Sequence, residues 1–328
     1  MKLNSTPISR IAVIEIGSRA VRLMVADVSR EAGFKIVNSA WEETYLAAAV
    51  KIGGDKLRAK LDEIEKIVKR FKESSLQQKA SETCVFATAA FREMPEEFIE
   101  YFRARIPEIQ ILDKMAESGC SLIGAINEFK ASISTENQLV IDQGTGSMEV
   151  VFGHVTQTEV KLINFNSYSL GTQMLVQKLA DEQHDLQKFQ SSLTKIISKY
   201  KPIKPGFDGR PIILGSTATK IAWIKVRRSA DQNYDPALAH GQIINRKVVE
   251  SLIDLAIKDP DTVKYMISPK RGDTMDFEMF ITGLIALNIY LKRLKQNDFK
   301  VSAFGTRFGV IWMLALYHKI SVSSNYVA

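Results

Sequence analysis

Residues 11–28 read IAVIEIGSRAVRLMVADV, and residues 138–155 read QLVIDQGTGSMEVVFGHV. Each stretch is an apolar run that ends at an acidic residue, followed by a short turn with glycine and a second apolar run. Apolar runs on both sides of a glycine turn predict two strands joined as a hairpin. At a spacing of 127 residues, Glu15 meets Asp142 and Gly17 meets Gly144. The duplication predicts a fold with two related halves.

Strand and helix patterns alternate along the rest of both halves. Strands are predicted at 34–45, 83–88 and 109–112 in the first half, and at 159–166, 211–214 and 299–303 in the second. Helices are predicted at 56–74, after Pro95, from about 170 to 200, through Trp223, and at 247–258, 276–295 and 307–318. Residues 201–211 are predicted to be a loop, and 227–245 a mobile surface segment. Strands that alternate with helices predict an α/β fold.

The composition excludes several classes of protein. The chain has 328 residues, of which 45% are hydrophobic and 25% charged, and a formal net charge of +7. These values are typical of a globular protein with two domains and exclude a disordered one. The two cysteines, Cys84 and Cys120, are too few for a disulfide scaffold, and no cysteine and histidine spacing suggests zinc.

The sequence also indicates where the protein works. No apolar run approaches the roughly 20 residues that a membrane-spanning helix needs. The first ten residues lack the apolar core of a signal peptide, so we expect a cytoplasmic protein. The modest positive charge is compatible with nucleotide, polyphosphate or nucleic acid as an anionic partner, and selects none of them.

The two turns contain the residue types that bind phosphate. Glycine lets backbone N–H groups approach phosphate oxygens because no Cβ lies in the way. An acid at the end of the preceding strand, here Glu15 or Asp142, can hold a magnesium ion or orient an attacking water. For a single copy, a tight hairpin in which Asp142 bonds its own turn is the simpler interpretation. The duplication favours the phosphate site.

Two further segments place glycine or hydroxyl groups where a strand meets a helix. In ATAAFRE, residues 87–93, Thr88 and Arg92 could bind an anion at the helix start. The alternative is a threonine N-cap beside a solvated arginine. In LGSTAT, residues 214–219, Gly215 and Ser216 could contact ribose, base or phosphate, or simply cap the helix.

Together these motifs resemble the exopolyphosphatase and guanosine pentaphosphate phosphohydrolase family, within the superfamily of actin, sugar kinases and heat-shock chaperone ATPases. The resemblance covers about residues 10 to 315. EIGSRAVRL at 15–23 is similar to the family's first phosphate turn, and DQGTGSME at 142–149 to its second. ATAAFRE, SYSLG at 167–171 and VSAFGTRFGVI at 301–311 are similar to three further family segments.

The resemblance implies two related ribonuclease H-like domains of the actin-like ATPase type, facing across a phosphate-binding cleft. The first would comprise residues 1–125, completed by the last helix at about 307–320, and the second residues 126–306. It also implies a hydrolase of phosphoanhydrides that uses Mg²⁺ or Mn²⁺ and acts on inorganic polyphosphate or guanosine penta- or tetraphosphate. A homodimer is a further expectation. Helix 276–295 has an apolar face that would suit a dimer or belong to the core, formed by Phe277, Phe280, Ile281 and Leu284.

The motifs and the resemblance together supply the candidate site residues. Glu149 and Glu117 are the candidate catalytic carboxylates, and Glu15 and Asp142 are the candidate metal ligands. The candidate phosphate ligands are Gly17, Ser18, Arg19, Arg22, Thr88, Arg92, Gly144, Thr145, Gly146, Ser147, Gly215 and Ser216.

The sequence departs from the family pattern at several of these positions. Ser118 stands where the family has its catalytic glutamate. Glu117, one residue away, would point about 100° around a helix, and it either takes over this role or is a solvated carboxylate. Glu15 replaces an aspartate, Arg19 replaces a small polar residue, and Thr145 replaces a turn glycine where a positive φ would be unfavourable.

These departures support a second class of function, a nucleotide- or polyphosphate-binding regulatory protein with weakened hydrolysis. Retention of Asp142 and Glu149 favours the enzyme, because a structural hairpin needs neither acid. Nucleic-acid binding would rest on basic stretches such as KVRR at 225–228. No helix-turn-helix motif or set of stacking aromatic residues accompanies them, so this class ranks last.

Overall fold

The computed structural model describes residues 9–29, 33–127, 134–156, 159–201, 203, 207–227, 236–267, 274–316 and 319–322. The described strands are β1 (Ser9–Ile16), β2 (Ala20–Ser29), β3 (Gly33–Glu43), β4 (Glu82–Ala87), β5 (Gln110–Ile111), β6 (Ser134–Gln143), β7 (Met148–Val155), β8 (Glu159–Tyr168), β9 (Ile212–Leu214), β10 (Ile243–Asn245), β11 (Asp298–Val301) and β12 (Lys319–Val322).

The described helices lie between these strands and after them. They are α1 (Leu46–Ile52), α2 (Gly54–Gln77), α3 (Ala89–Arg92), α4 (Glu96–Arg103), α5 (Lys114–Asn127), α6 (Thr172–Asp181), α7 (Leu186–Ser198), α8 (Ser216–Val226), α9 (Pro236–Ala239), α10 (Arg246–Lys258), α11 (Pro260–Ile267), α12 (Thr274–Arg293) and α13 (Thr306–Leu316). In the described part of the chain, no helix is both long and apolar enough to cross a membrane.

The described residues form two compact units. The first comprises those of 1–135, 154–161 and 306–321, and the second those of 136–153, 162–305 and 322–328. The sequence predicts the first boundary at residue 125 and places residues 154–161 in the second domain.

The first unit contains a five-stranded sheet in the order β3-β2-β1-β4-β5. Strand β1 is antiparallel to β2 and parallel to β4. Helix α2 covers one face of this sheet with the apolar stripe that its sequence period predicts. The buried residues of that stripe are Leu57, Leu61, Ile64, Ile67, Val68 and Phe71.

The second sheet has seven strands in the order β10-β11-β9-β6-β7-β8-β12. Its central run, read as β8-β7-β6-β9-β11, repeats the strand order of the first sheet. In both sheets the first strand of the hairpin is parallel to the next strand along, β1 to β4 and β6 to β9. Two α/β units with the same strand order confirm the predicted fold class.

The core of the second unit includes the apolar face of α12. Phe277, Phe280, Ile281 and Leu284 are all buried within this unit's hydrophobic cluster. Of the two interpretations of this face, the structure therefore selects the core, and the face is not available for a dimer.

The predicted helix at 170–200 is wrong as a single helix. It is two helices, α6 and α7, because Gln183 and His184 adopt positive φ angles of 55° and 59° and end the first one. Asp185 then begins α7 by accepting the backbone N–H groups of Gln187 and Lys188 at 2.9 and 3.0 Å.

The predicted mobile segment at 227–245 is wrong over its second part. Residues 236–239 form α9 and residues 243–245 form β10, which pairs antiparallel with β11. Residues 228–235 of that segment lie outside the described residues, as do 202 and 204–206 of the predicted loop. Helices α1 and α11 and strand β12 are not among the predicted elements.

Candidate functional site

Both glycine turns have the same backbone geometry. The N–H of Gly17 donates to the carbonyl of Ala20 at 3.0 Å, and the N–H of Gly144 donates to the carbonyl of Ser147 at 2.9 Å. The two bonds join residues at the same spacing and lie 127 positions apart, as the sequence repeat predicts. Thr145 does not adopt a positive φ. It therefore replaces the family glycine without backbone strain.

The predicted helix-start motifs lie beside the two turns at the carboxyl ends of parallel strands. Ile16 of β1 pairs with Ala87 of β4, so Thr88 follows next to the first turn. Asp142 of β6 pairs with Leu214 of β9, so Gly215 follows next to the second. Ligands of open α/β sheets bind at this edge.

The first-turn cluster comprises Glu15, Arg22, Arg92, Glu117 and Arg307. Arg307 Nε lies 3.1 Å from Oε2 of Glu15, and Arg22 Nη1 lies 3.6 Å from the same oxygen. Burial lowers the pKa of Arg307 to about 10, although the Glu15 carboxylate opposes this shift. One carboxylate is therefore shared by two guanidinium groups.

The Arg92 guanidinium lies in a second ion pair of this cluster. Its Nη1 lies 2.5 Å from Oε2 of Glu117 and also donates to the carbonyl of Leu112 at 2.8 Å. Glu117 stands in the first turn of α5 and is buried. It is therefore not the solvated carboxylate that one interpretation of the sequence offered.

Ser118, which stands where the family has its glutamate, points into the interior. Its side chain is fully buried, and its hydroxyl has no hydrogen-bond partner among the described residues. Gly309 of α13 packs on the same part of α5, and a Cβ at Gly309 would lie 1.8 Å from the carbonyl oxygen of Cys120. This close contact fixes which face of α5 is turned inward.

Other predicted phosphate ligands near the first turn have protein contacts. Arg19 Nη2 lies 2.7 Å from Oε1 of Glu43, and its guanidinium lies 5.7 Å from the centre of the Tyr45 ring. Ser18 and Thr88 are buried. Thr88 precedes α3, yet its hydroxyl makes no capping hydrogen bond, which leaves the N-cap interpretation without support.

The second-turn cluster comprises Asp142, Gly144, Thr145, Gly146, Ser147, Glu149 and Ser167. Glu149 is only 3% exposed. Its Oε1 accepts the Ser147 hydroxyl at 2.6 Å and the Ser167 hydroxyl at 2.8 Å. Two donors on one oxygen fix the orientation of this carboxylate.

Helix α6 supports the second turn from behind. The N–H groups of Thr172 and Gln173 donate to the carbonyls of Gly144 and Thr145, both at 3.0 Å. Gly171 has φ −67° and ψ 146°, which any residue can adopt. A Cβ there would lie 2.2 Å from the carbonyl carbon of Gly146, so glycine is required by space alone.

The second turn uses its carbonyl and N–H groups differently. Within the described residues, the N–H groups of Thr145 and Gly146 have no backbone hydrogen-bond partner, whereas the turn's carbonyls are used by α6. Gly215 completes this edge with φ +100°, and a Cβ there would lie 2.2 Å from the carbonyl oxygen of Gln143. Ser216 follows it as the first residue of α8.

The two predicted metal ligands have different surroundings. Glu15 is bound by two arginines, which already supply positive charge at its carboxylate. Asp142 lies at the end of β6, and a Cβ added at Gly305 would lie at an ordinary contact distance of 3.7 Å from its Oδ2. Among the described residues, no group of three or more His, Cys, Asp and Glu side chains could hold a metal ion.

Residues 24–318 match the model of the Ppx/GppA phosphatase family. The chain belongs to the Ppx/GppA phosphatase family. The type II variant of the Aquifex aeolicus Ppx/GppA phosphatase is 23% identical, with a TM-score of 0.71 over 92% of this chain and 98% of that one. No curated protein matches this chain significantly.

Other solved structures share the fold of this family member. An exopolyphosphatase-like protein is 16% identical, with a TM-score of 0.72 over 94% of this chain and 98% of that one. An exopolyphosphatase from Cytophaga hutchinsonii is 15% identical, with a TM-score of 0.69 over 93% and 97%. The chain thus has the actin-like ATPase fold of the Ppx/GppA family over nearly its whole length.

The predicted site residues of this Ppx/GppA family member lie at the two turns and the strand ends beside them. The sequence prediction omitted Arg307, Ser167, Gly171 and Gly305 from its site residues. The sequence motifs could have identified them, since Ser167 and Gly171 lie in SYSLG and Gly305 and Arg307 lie in VSAFGTRFGVI.

Proposed function

We propose that this protein hydrolyses phosphoanhydride bonds of inorganic polyphosphate or of guanosine penta- or tetraphosphate. Membership of a phosphatase family supports the reaction class. The observation that carries the proposal is Glu149, a buried carboxylate oriented by the Ser147 and Ser167 hydroxyls beside a glycine turn. A hairpin with only a structural role has no need of a buried acid.

In this proposal the second turn binds the phosphoryl group and Glu149 acts on water. The N–H groups of Thr145 and Gly146 donate to phosphoryl oxygens. Glu149 accepts a proton from the attacking water, whose oxygen forms the new bond to phosphorus. The bridging P–O bond breaks, and the shortened phosphate chain leaves with its electron pair. Such a transfer depends chiefly on positioning and on charge neutralisation.

For a divalent cation, the surroundings of Glu15 fit poorly, and Asp142 is the other predicted ligand. Asp142 is a carboxylate at the end of β6, beside the second turn, and it would hold Mg²⁺ or Mn²⁺ largely through water. At Glu15 the guanidinium groups of Arg22 and Arg307 compete with a cation for the same oxygen. Bound metal would neutralise charge on the phosphate oxygens.

Phosphate release tests the hydrolase. Wild type, Glu149→Gln and Glu117→Gln are compared on long-chain polyphosphate and on guanosine pentaphosphate with Mg²⁺, beside Glu63→Gln, which changes an exposed glutamate of α2. We expect release by wild type and by Glu63→Gln, and a loss of at least a hundredfold in Glu149→Gln, as for a general base. If Glu149→Gln releases phosphate as fast as wild type, Glu149 is not the catalytic base.

A regulatory phosphate-binding protein is the second candidate. It is favoured by Ser118 at the glutamate position and by the glutamates that already bind Arg19, Arg22, Arg92 and Arg307. Binding of polyphosphate or guanosine pentaphosphate without release of phosphate from wild type would select this function.

A further inference from the structure

The Arg92–Glu117 pair lies where an anion would dock. Arg92 ends α3, directly after the carboxyl end of β4, and Glu117 stands in the first turn of α5, which follows β5. Strands β1, β4 and β5 are neighbours in one sheet, and the first turn lies at the same edge. The Arg92 guanidinium is thus at the edge that carries the first turn, and it already holds a carboxylate.

The pair is well formed and poorly solvated. The side chains of Arg92 and Glu117 are 17% and 10% exposed, and the two atoms are 2.5 Å apart. The same nitrogen, Nη1, also donates to the Leu112 carbonyl, which helps to fix the guanidinium. Leaving either charge unpaired in such surroundings is costly, so Glu117 leaves Arg92 only when another anion replaces it.

A phosphoryl group is a suitable replacement. A guanidinium binds carboxylate and phosphate with the same fork of N–H donors. The displaced Glu117 side chain would remain beside the N-terminus of α5, where the helix dipole stabilises negative charge. Helix α5 itself cannot turn to carry Glu117 away, because the next residues, Ser118 and Gly119, are packed against the interior and Ile320.

We propose that Glu117 is an internal competitor at the anion subsite of Arg92, and that it sets the selectivity for phosphate chains over orthophosphate. The inference rests on the proposed function, because it takes phosphate chains as ligands of this protein. When orthophosphate binds at Arg92 it takes the place of the Glu117 carboxylate, so one anion replaces another and little affinity is gained. A chain of several phosphates can also bind through other groups while Glu117 stays on Arg92, so its affinity depends less on this displacement than the affinity for orthophosphate does.

Binding measurements test the competitor directly. Affinities for orthophosphate and for tripolyphosphate are measured by calorimetry with wild type, Glu117→Gln and the double variant Glu117→Gln/Arg92→Gln. Asp27→Asn is the matched control, because it breaks another arginine–carboxylate pair at the opposite end of the same sheet strands. Thermal unfolding followed by circular dichroism verifies that each variant is folded, and Glu117→Asp replaces Glu117→Gln if the latter is not.

We expect Glu117→Gln to bind orthophosphate about tenfold to a hundredfold more tightly. This is the effect of one charged hydrogen bond, here the bond from Arg92 to Glu117 that orthophosphate no longer has to break. The affinity for tripolyphosphate should rise less, so that the preference for tripolyphosphate over orthophosphate falls. The gain should disappear in the double variant and be absent from Asp27→Asn. An unchanged orthophosphate affinity in Glu117→Gln, or a gain that persists in the double variant, overturns the proposal.

Phosphate release measured in parallel separates this inference from the proposed function. Phosphate release by wild type, with unchanged selectivity in Glu117→Gln, would support the hydrolase and contradict the proposal that Glu117 competes at Arg92. A change in selectivity without any phosphate release would support that proposal and contradict the hydrolase. Failure of both wild type and Glu117→Gln to bind tripolyphosphate would overturn both.

Discussion

The guanidinium of Arg307 lies 3.1 Å from a carboxylate oxygen of Glu15, although the two residues stand near opposite ends of the chain. Their side chains are 24% and 14% exposed. Arg22 approaches the same oxygen at 3.6 Å. The last helix therefore contributes a cation to the first turn, and Glu15 balances two positive charges rather than standing as a lone acid.

Removal of the Glu15 carboxylate should destabilise the first unit. Glu15→Ala leaves Arg22 and Arg307 without their shared anion, and we expect the free energy of unfolding to fall by about 2 kcal/mol. Urea unfolding at pH 7 measures this. Adding Arg307→Met to Glu15→Ala should recover part of the loss, because the buried charge is then removed as well. A change below about 0.5 kcal/mol in Glu15→Ala, typical of a surface substitution, would contradict the expectation.

The crossing of α5 and α13 should depend on Gly309. A Cβ at this position would lie 1.8 Å from the backbone carbonyl of Cys120, which cannot move aside as a side chain can. Gly309→Ala should therefore lower the free energy of unfolding by about 3 kcal/mol or more. Gly305→Ala is the control, since its Cβ would be at an ordinary contact distance of 3.7 Å from Asp142. Equal stability of the two variants would show that the helices can separate at little cost.

The second turn should lose its shape when Gly171 is replaced. In Gly171→Ala the new Cβ would lie 2.2 to 2.4 Å from backbone atoms of Thr145, Gly146 and Ser147. We expect tripolyphosphate binding to weaken at least tenfold, because the N–H groups of the turn are displaced. Gly241→Ala, at a position with φ +77° where an added Cβ would have no described atom within 4 Å, should cost about 1–2 kcal/mol of stability without affecting binding. Binding that is reduced equally in both variants would point to general destabilisation.

The Arg10–Asp27 pair should make stability depend on pH. Arg10 donates to both carboxylate oxygens of Asp27, at 2.7 and 2.9 Å, and these hydrogen bonds hold the pKa of Asp27 below its ordinary value of 3.8. A lowered folded-state pKa contributes stability above pH 3.8, and this contribution is lost as the pH falls through the folded-state value. Asp27→Asn should therefore be less stable than wild type at pH 7. The difference in the free energy of unfolding between the two proteins should shrink as the pH falls below 3.8, and a difference that stays constant would rule out the pair as its source.

Both thiols should be unreactive in the folded protein. Burial raises the pKa of Cys84 to about 11 and that of Cys120 to about 12, and these are the two cysteines of the chain. Little thiolate forms at pH 8, and thiolate is the reactive species. Ellman's reagent should label neither cysteine at pH 8 and both in guanidinium chloride. Rapid labelling of the native protein would show that α5 or β4 opens readily.

Some features of the fold could not be read from the sequence because their signals were weak. The end of α6 depends on Gln183 and His184 in the left-handed region, where glycine or asparagine is more usual. A continuous helix was therefore the simpler prediction. Asp185 was the available signal, since an aspartate before an apolar period is a common N-cap. Strand β10 has three residues, which is too short for a period to show.

The role of Ser118 could not be decided from alignment alone. The sequence places it at the glutamate position of the family, with Glu117 one residue away. The packing of Gly309 on Cys120 turns Ser118 inward and leaves Glu117 on the side of Arg92. The choice between these neighbours therefore depends on a helix from the end of the chain.

The two hairpins, their glycine turns and the α/β alternation can be predicted from the sequence, because strand patterns, turns and helix periods depend on residues close together in the chain. Which charged groups meet depends on the folded structure. Glu15 pairs with Arg22 and Arg307, Arg92 with Glu117, and Glu149 with the Ser147 and Ser167 hydroxyls. The physical reason is that an ion pair or hydrogen bond requires a few ångströms between two groups. For residues far apart in sequence, that distance is set by packing of the elements that carry them.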